Sequence, residues 1–279
     1  MTTNTHKKVG LLAIACALAL TPDSAKAAII YNDGDLILGF RAVGSPTDYL
    51  VDLGSAASII NSTAPITFSI GNIGGDLTTI FGSWATSGNV FWSVSGVQKS
   101  AGNGFVGNTM FATRSDTVDG PLGTNTTTPW IRPSTFAAGA PAGKVQSLGL
   151  RYGLGTTGAV SGTDQMESAS ISGALIQPTT QPNSYASYQP GGANTTGATA
   201  YGYFASANGI EGTFANGAAL SVLDLYTVAP GSGASAFAGN ITITNGGSVT
   251  FTPTPEPTVG AVLTLSGVVL AGLRRRRNK

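Results

Sequence analysis

Hydrophobic and polar residues alternate along several short segments of the chain, the pattern of β-strands that bury one face. One segment places Leu36, Leu38 and Phe40 on one side, with Arg41 and the intervening residues on the other. Between two later segments lies Asn245-Gly246-Gly247, and because Asn and Gly tolerate positive φ, this turn predicts a β-hairpin. The alternation recurs in segments 66–70, 90–95, 241–244 and 248–251.

The pattern predicts a mainly β fold, a single β-sandwich or flattened barrel over residues 28–252, with a few short helices. No fixed-period repeat is present, which argues against a solenoid or propeller. Two stretches rich in Pro, Gly, Thr and Asn, 115–145 and 177–200, are predicted to be loops without regular structure. The short helices are predicted at Ser55–Ile60, Leu77–Phe81 and Ser134–Leu148.

Charge is sparse, at 10% of the 279 residues, and it is unevenly placed. Residues 28–252 contain six basic and eleven acidic side chains, whereas both ends of the chain are basic. A nucleic-acid-binding domain needs a basic surface, so the sequence predicts no nucleic-acid partner.

The N-terminus has the form of a secretory signal peptide, residues 1–27. Two lysines precede an apolar run over residues 9–20, and small residues follow at Ala25 and Ala27. This order predicts cleavage before Ala28, and the secretion translocon and signal peptidase as partners. The apolar run is shorter than the roughly 20 residues of a membrane-spanning helix.

His6 and Cys16 are the only His and Cys, and both lie in this leader. Cys16 offers the alternative of a lipoprotein acceptor, but it lies inside the apolar run rather than at its end. Without the leader, the chain has no residues for a Ser-His-Asp or Cys-His nucleophile system, a His/Cys zinc site or a disulfide. We therefore predict a non-enzymatic protein with no cofactor and no metal.

The C-terminal region, residues 253–279, has three parts. A Pro-rich segment, 253–258, forms a stiff spacer, and the apolar segment 259–273 follows. A helix over that segment would be about 22 Å long, so flanking arginines that snorkel would help it span the roughly 30 Å hydrocarbon core. The basic tail 274–279 predicts a cytoplasmic C-terminus. A plain tail anchor and a buried core helix are the alternatives to a single transmembrane helix with a sorting role.

Pro255-Glu256-Pro257, a single hydrophobic segment and an arginine cluster together resemble the PEP-CTERM sorting signal of Gram-negative bacteria. That resemblance implies that an exosortase, an integral-membrane enzyme, recognises the tail and processes it during delivery to the cell surface. It implies a transient stay in the inner membrane, then the cell surface or extracellular polysaccharide matrix. The implied recognition motif is Pro255, Glu256 and Pro257, and the implied stop-transfer residues are Arg274, Arg275, Arg276 and Arg277.

The exported region resembles, more loosely, the ectodomains that accompany this tail in verrucomicrobial-type bacteria. The likeness lies in segments 35–42 and 48–54 at its start and in 223–226 and 230–233 near its end. This resemblance implies no particular biochemical activity.

Several carboxylates are candidates for a site. Asn32-Asp33-Gly34-Asp35 could offer oxygens to calcium, but it lacks the distal Glu of a calcium loop, and a turn is the favoured interpretation. Asp48 and Asp52 are four apart in a predicted strand and share a face, which we interpret as solvated. A carboxylate-dependent hydrolase and a Ser-Lys dyad are less favoured. Their candidates are Asp116 with Asp119, Asp164 with Glu167, Lys99 with Ser100, and Lys144 with Ser147.

Aromatic residues give the main alternative function, a polysaccharide-binding module. Tyr185 and Tyr188 lie in a predicted loop, where they could stack on sugar rings, and they are the predicted glycan contacts. Trp92 lies in an alternating strand and is predicted to be in the core. The other aromatic candidates are Trp84, Trp130, Tyr201 and Tyr203.

Overall fold

The computed structural model describes residues 31–115, 166–167, 174–180, 184–188, 210–214, 218–230 and 235–253. Three short helices lie among them: α1 (Ala56–Ile60), α2 (Ile73–Phe81) and α3 (Tyr185–Tyr188). The strands are β1 (Asp35–Ala42), β2 (Thr47–Ser55), β3 (Ile66–Thr67), β4 (Val90–Gln98), β5 (Thr109–Ser115), β6 (Met166–Glu167), β7 (Ala174–Pro178), β8 (Gly212–Thr213), β9 (Leu220–Val228), β10 (Ala236–Thr244) and β11 (Val249–Pro253).

All eleven strands belong to one antiparallel sheet, which curls into a half-barrel. The strand order is β3-β11-β10-β9-β5-β4-β1-β2-β7-β6, and β8 pairs with β4 beside this path. The mainly β prediction is therefore confirmed. A sandwich would need two stacked sheets, whereas the strands described here join into one.

The sheet buries side chains on both faces. The first face carries Leu36, Leu38 and Phe40, as the alternation predicts, and α1 and α2 add Ile59 and Leu77 to the same core. The second face carries a smaller apolar cluster and a group of polar side chains. Because both faces of β1 are covered, its residues are buried from Asp35 to Arg41. Members of the second apolar cluster are Ile37, Leu50, Val97, Met110, Ala112, Leu175, Tyr185, Ile210, Tyr226 and Val228.

Two of the predicted helices and the predicted hairpin are present. The helix expected at Ser55–Ile60 is α1, and the one expected at Leu77–Phe81 is the second half of α2. α2 begins earlier because Asn72 caps it, its Oδ1 accepting the amide of Gly75 at 3.0 Å. The hairpin at Asn245-Gly246-Gly247 joins β10 to β11.

The prediction of an unstructured loop over 177–200 is wrong at its start. β7 extends through Pro178, and α3 occupies Tyr185–Tyr188. Pro and Asn set the local composition, but residues 184–186 are buried against the sheet, so tertiary packing decides their structure.

The predicted signal peptide, the helix at Ser134–Leu148 and the C-terminal region from 254 onward lie outside the described residues. Among the helices that the structure does describe, none combines the length and the apolar character required to cross a bilayer.

Candidate functional site

The second face of the sheet holds a row of side chains from four neighbouring strands. In the antiparallel register, Arg41 of β1 lies between Phe91 of β4 and Asp48 of β2. Asp48 in turn lies opposite Gln177 of β7. Directly opposed residues on one face are within side-chain reach, so the sheet itself assembles this row. We call Arg41, Asp48, Ser93, Gln177, Tyr185 and Glu211 the polar layer.

Arg41 forms a bidentate ion pair with Glu211, 170 residues further along the chain. Its Nε lies 2.9 Å from Oε1 and its Nη2 lies 2.5 Å from Oε2. The pairing of Gly212 with Trp92 brings Glu211 to this position. The two side chains are only 10% and 7% exposed, and the guanidinium carbon lies 4.8 Å from the centre of the Phe91 ring. A guanidinium placed over an aromatic ring and bonded bidentately to a carboxylate is an arrangement that favours Arg over Lys.

Tyr185 connects this ion pair to the middle of the sheet. Its hydroxyl donates to Glu211 Oε1 at 3.1 Å and lies 2.7 Å from Ser93 Oγ. The backbone amide of Tyr185 donates to Gln177 Oε1 at 3.1 Å. α3 is thus held on the sheet by side chains from β4, β7 and the segment before β8.

Asp48 completes the polar layer and is fully buried. Its Oδ2 accepts the backbone amide of Ala186 at 2.8 Å, while its Oδ1 has no hydrogen-bond partner among the described residues. Burial raises the pKa of Asp48 to about 7. The Ala186 amide and the charge of Arg41 oppose that rise, and the charge of Glu211 adds to it.

The charges of the ion pair respond to the same burial. Burial alone would lower the pKa of Arg41, but hydrogen bonds and attraction from Glu211 raise it above its ordinary value. Burial raises the pKa of Glu211, and Arg41 opposes that rise. One guanidinium therefore faces two carboxyl groups, and the layer can hold a proton near neutral pH.

Asp48 and Asp52 lie on the same face of β2, as predicted. The interpretation of that face as solvated is wrong for Asp48, which is buried. Asp48 is covered by α3, an element that the sequence did not predict. Asp52 is half-buried and accepts the amide of Gly54 at 2.7 Å. Burial raises its pKa to about 7, the Gly54 amide opposes the rise, and the charge of Asp35 adds to it.

The turn interpretation of Asn32-Asp33-Gly34-Asp35 is confirmed. Asp33 accepts the amides of Lys99 and Ser100 at 2.6 and 2.8 Å, and Asp35 accepts the amide of Asn32 at 2.6 Å. These carboxylates anchor the turn and the end of β4. Within the part of the chain that the structure describes, no group of three or more His, Cys, Asp or Glu could hold a metal ion.

The described contacts of Lys99 and Ser100 do not support a Ser-Lys dyad. Lys99 Nζ donates to Asn108 Oδ1 at 2.5 Å, across the β4–β5 connection. Glu167 lies in β6, of which only the backbone is described. The remaining acid and Ser-Lys candidates, Asp116, Asp119, Lys144, Ser147 and Asp164, lie outside the described residues.

The interpretation of Tyr185 as a surface glycan contact is wrong, because its side chain is fully buried between α3 and the sheet. Trp92 is in the core as predicted, where its indole nitrogen donates to Ser221 Oγ at 2.9 Å. Trp84 is also buried, edge-on to Phe214. Tyr188 lies in α3, but its side chain is not described. The other aromatic candidates, Trp130, Tyr201 and Tyr203, lie outside the described residues.

The residues that organise this site, Arg41 and Glu211, were not singled out from the sequence. The available signal was Arg41 itself, a charge placed within a strand whose neighbours are apolar. Because buried charged side chains are usually paired, a buried arginine in a strand implies an acidic partner elsewhere in the chain. No sequence feature identifies Glu211 as that partner.

Comparison of the chain with known protein families, curated proteins and solved structures finds no match.

Proposed function

We propose that the protein is an exported, non-enzymatic component of the cell surface or extracellular polysaccharide matrix, delivered through a C-terminal sorting signal. The observation that carries the proposal is the order of Pro255-Glu256-Pro257, the apolar segment 259–273 and Arg274–Arg277. Under this proposal an exosortase-like membrane enzyme binds the tripeptide, and the arginines stop transfer at the inner membrane. The signal peptide, cleaved between Ala27 and Ala28, starts the route through the translocon.

The position of β11 in the chain supports this arrangement. β11 ends at Pro253, two residues before the motif, and Phe251 within it is fully buried. Thr252, between them, is exposed. In the sequence, the tripeptide that the enzyme would bind therefore begins two residues after the end of β11. The half-barrel also supports a flattened barrel, rather than a sandwich, as the form of the whole domain.

The experiment compares surface delivery in a host that contains an exosortase with delivery in the same host lacking it. The variant Pro255→Ala/Glu256→Ala/Pro257→Ala removes the motif, and Thr254→Ala/Thr258→Ala changes the flanking residues alone. We expect protease-accessible protein only for the wild type and the control, and only in the host with the enzyme. Equal surface delivery of the motif variant would contradict the proposal.

The alternatives from other classes make different demands on the fold. A polysaccharide-binding module needs exposed aromatic side chains, and Tyr185 cannot provide one. A carboxylate-dependent hydrolase needs two carboxylates across an open groove. Asp48 is instead enclosed, and Glu211 is paired with Arg41. No contact among the described residues specifically supports either alternative.

A further inference from the structure

We propose that proton binding at Asp48 controls how tightly segment 184–188 docks on the sheet, so that this segment is a pH-responsive cover over the polar layer. The segment contains α3 and the residue before it. The proposal concerns the folded domain alone and is independent of how the chain is sorted.

The cover is held at a few defined points. Ser184 Oγ donates to the carbonyl of Thr179 at 3.0 Å. The amide of Ala186 donates to Asp48 at 2.8 Å, and the amide and hydroxyl of Tyr185 bond to Gln177 and Glu211. Of the side chains that receive these bonds from the cover, Asp48 and Glu211 are ionisable. A change of charge under the cover therefore acts directly on its attachment.

The charges in the polar layer do not balance when both carboxyl groups are ionised. Within the described part of the chain, the groups that face Asp48 are Arg41 from β1, uncharged Gln177 from β7, Tyr185 from α3 and Glu211 from the segment before β8. Arg41 directs Nε and Nη2 at Glu211. Because Glu211 has Arg41 as its bidentate partner, Glu211 stays ionised, and we assign the proton to Asp48.

The bonding of Asp48 agrees with this assignment. One oxygen accepts the Ala186 amide, and the other has no hydrogen-bond partner within the described part of the chain. A neutral carboxyl group loses little by such enclosure, whereas an ionised one loses its hydration. An ionised Asp48 regains water when the cover opens. Burial also raises the pKa of Asp48, which favours the protonated form in the same way.

Linkage gives the sign of the effect. The pKa of Asp48 is about 7 with the cover closed. A solvated Asp has a pKa of about 3.9, so the open state holds the proton less tightly. Opening therefore becomes more favourable as pH rises from about 4 to about 7, and it is constant above that range. The cover is tightest in mild acid.

The experiment is hydrogen–deuterium exchange of the full chain between pH 4.5 and pH 8.5, corrected for the pH dependence of intrinsic exchange. The readout is a peptide that contains residues 184–188. We expect opening to increase roughly tenfold or more between pH 5 and pH 7, and then to level off. The wild-type titration alone tests the switch and needs no variant that folds.

Two matched variants test the assignment to Asp48. Asp48→Asn cannot ionise and should make the exchange of this peptide independent of pH. Asp52→Asn removes a carboxyl group with a similarly raised pKa from the same strand and face, and it should keep the wild-type profile because Asp48 still accepts the Ala186 amide. A flat wild-type profile would overturn the proposal, as would a pH response that persists in Asp48→Asn.

Discussion

Gly39 of β1 lies directly against the aromatic ring of Tyr185. A methyl group built on Gly39 would overlap three atoms of that ring. The backbone of β1 is extended here, so the glycine is required by the close approach of the ring rather than by an unusual φ. The absent side chain gives the ring its place between β1 and α3.

We expect Gly39→Ala to destabilise the fold, because the ring of Tyr185 must move away from Ser93 and Glu211. Overpacking of a buried position costs roughly 1–3 kcal/mol in free energy of unfolding. The measurement is urea denaturation of the purified chain. Gly102→Ala is the control, since a methyl group there meets only the amide nitrogen of Gln98, at an ordinary 3.7 Å. Equal effects of the two substitutions would contradict the proposed contact.

The position of Gly39 also shows what the sequence could predict. The alternation of Leu36, Leu38 and Phe40 gives the strand and its apolar face correctly, because that information is local. The second face is different. It is buried by α3 and by Glu211, which come from far along the chain, and neither has a periodic pattern. The local sequence pattern therefore predicts that Asp48 is exposed to solvent.

The buried carboxyl groups predict a stability that decreases as pH rises. The pKa of Asp48 is about 7 in the folded state, well above that of an unfolded Asp. The folded state therefore binds the proton more tightly, and its contribution is complete below about pH 4 and is lost as pH approaches 7. For Asp48 the full contribution is up to about 4 kcal/mol. Urea denaturation at several pH values measures it.

Asp52 should add to this decrease, because its pKa is also about 7. The double variant Asp48→Asn/Asp52→Asn is therefore expected to reduce the dependence of unfolding free energy on pH between 4 and 7, while Glu211, whose pKa burial also raises, keeps part of it. A double variant with the wild-type slope would show that other groups bind these protons.

The ion pair between Arg41 and Glu211 predicts a strongly non-additive pair of substitutions. Arg41→Met leaves Glu211 buried without its bidentate partner, which costs roughly 3–5 kcal/mol. Arg41→Met/Glu211→Leu removes both charges and should recover most of that loss. A double-mutant cycle by urea denaturation measures the coupling. If the two single effects simply add, the pair does not act as one unit.

Tyr185 predicts a loss of stability rather than of a surface contact. Tyr185→Ala should lower the free energy of unfolding by roughly 3–5 kcal/mol, because it removes a buried ring and its hydroxyl bonds. Tyr185→Phe keeps the ring and should cost about 1–2 kcal/mol. If Tyr185→Ala weakens both stability and polysaccharide binding, and Tyr185→Phe leaves binding unchanged, the loss of binding is due to unfolding rather than to a lost sugar contact. Binding lost in a fully stable Tyr185→Ala protein would contradict this interpretation.

A last prediction separates two reasons for glycine in the turn that joins β10 to β11. Gly247 has a φ of +85°, and a methyl group there would also overlap the backbone of Gly74, at the start of α2. Gly88 has a φ of +66° in open space, so Gly88→Ala isolates the backbone strain, roughly 1–2 kcal/mol. Gly247→Ala should cost roughly 1–3 kcal/mol more, because α2 must shift from the hairpin. Thermal or urea unfolding compares the two, and equal losses would mean that α2 does not depend on this close approach.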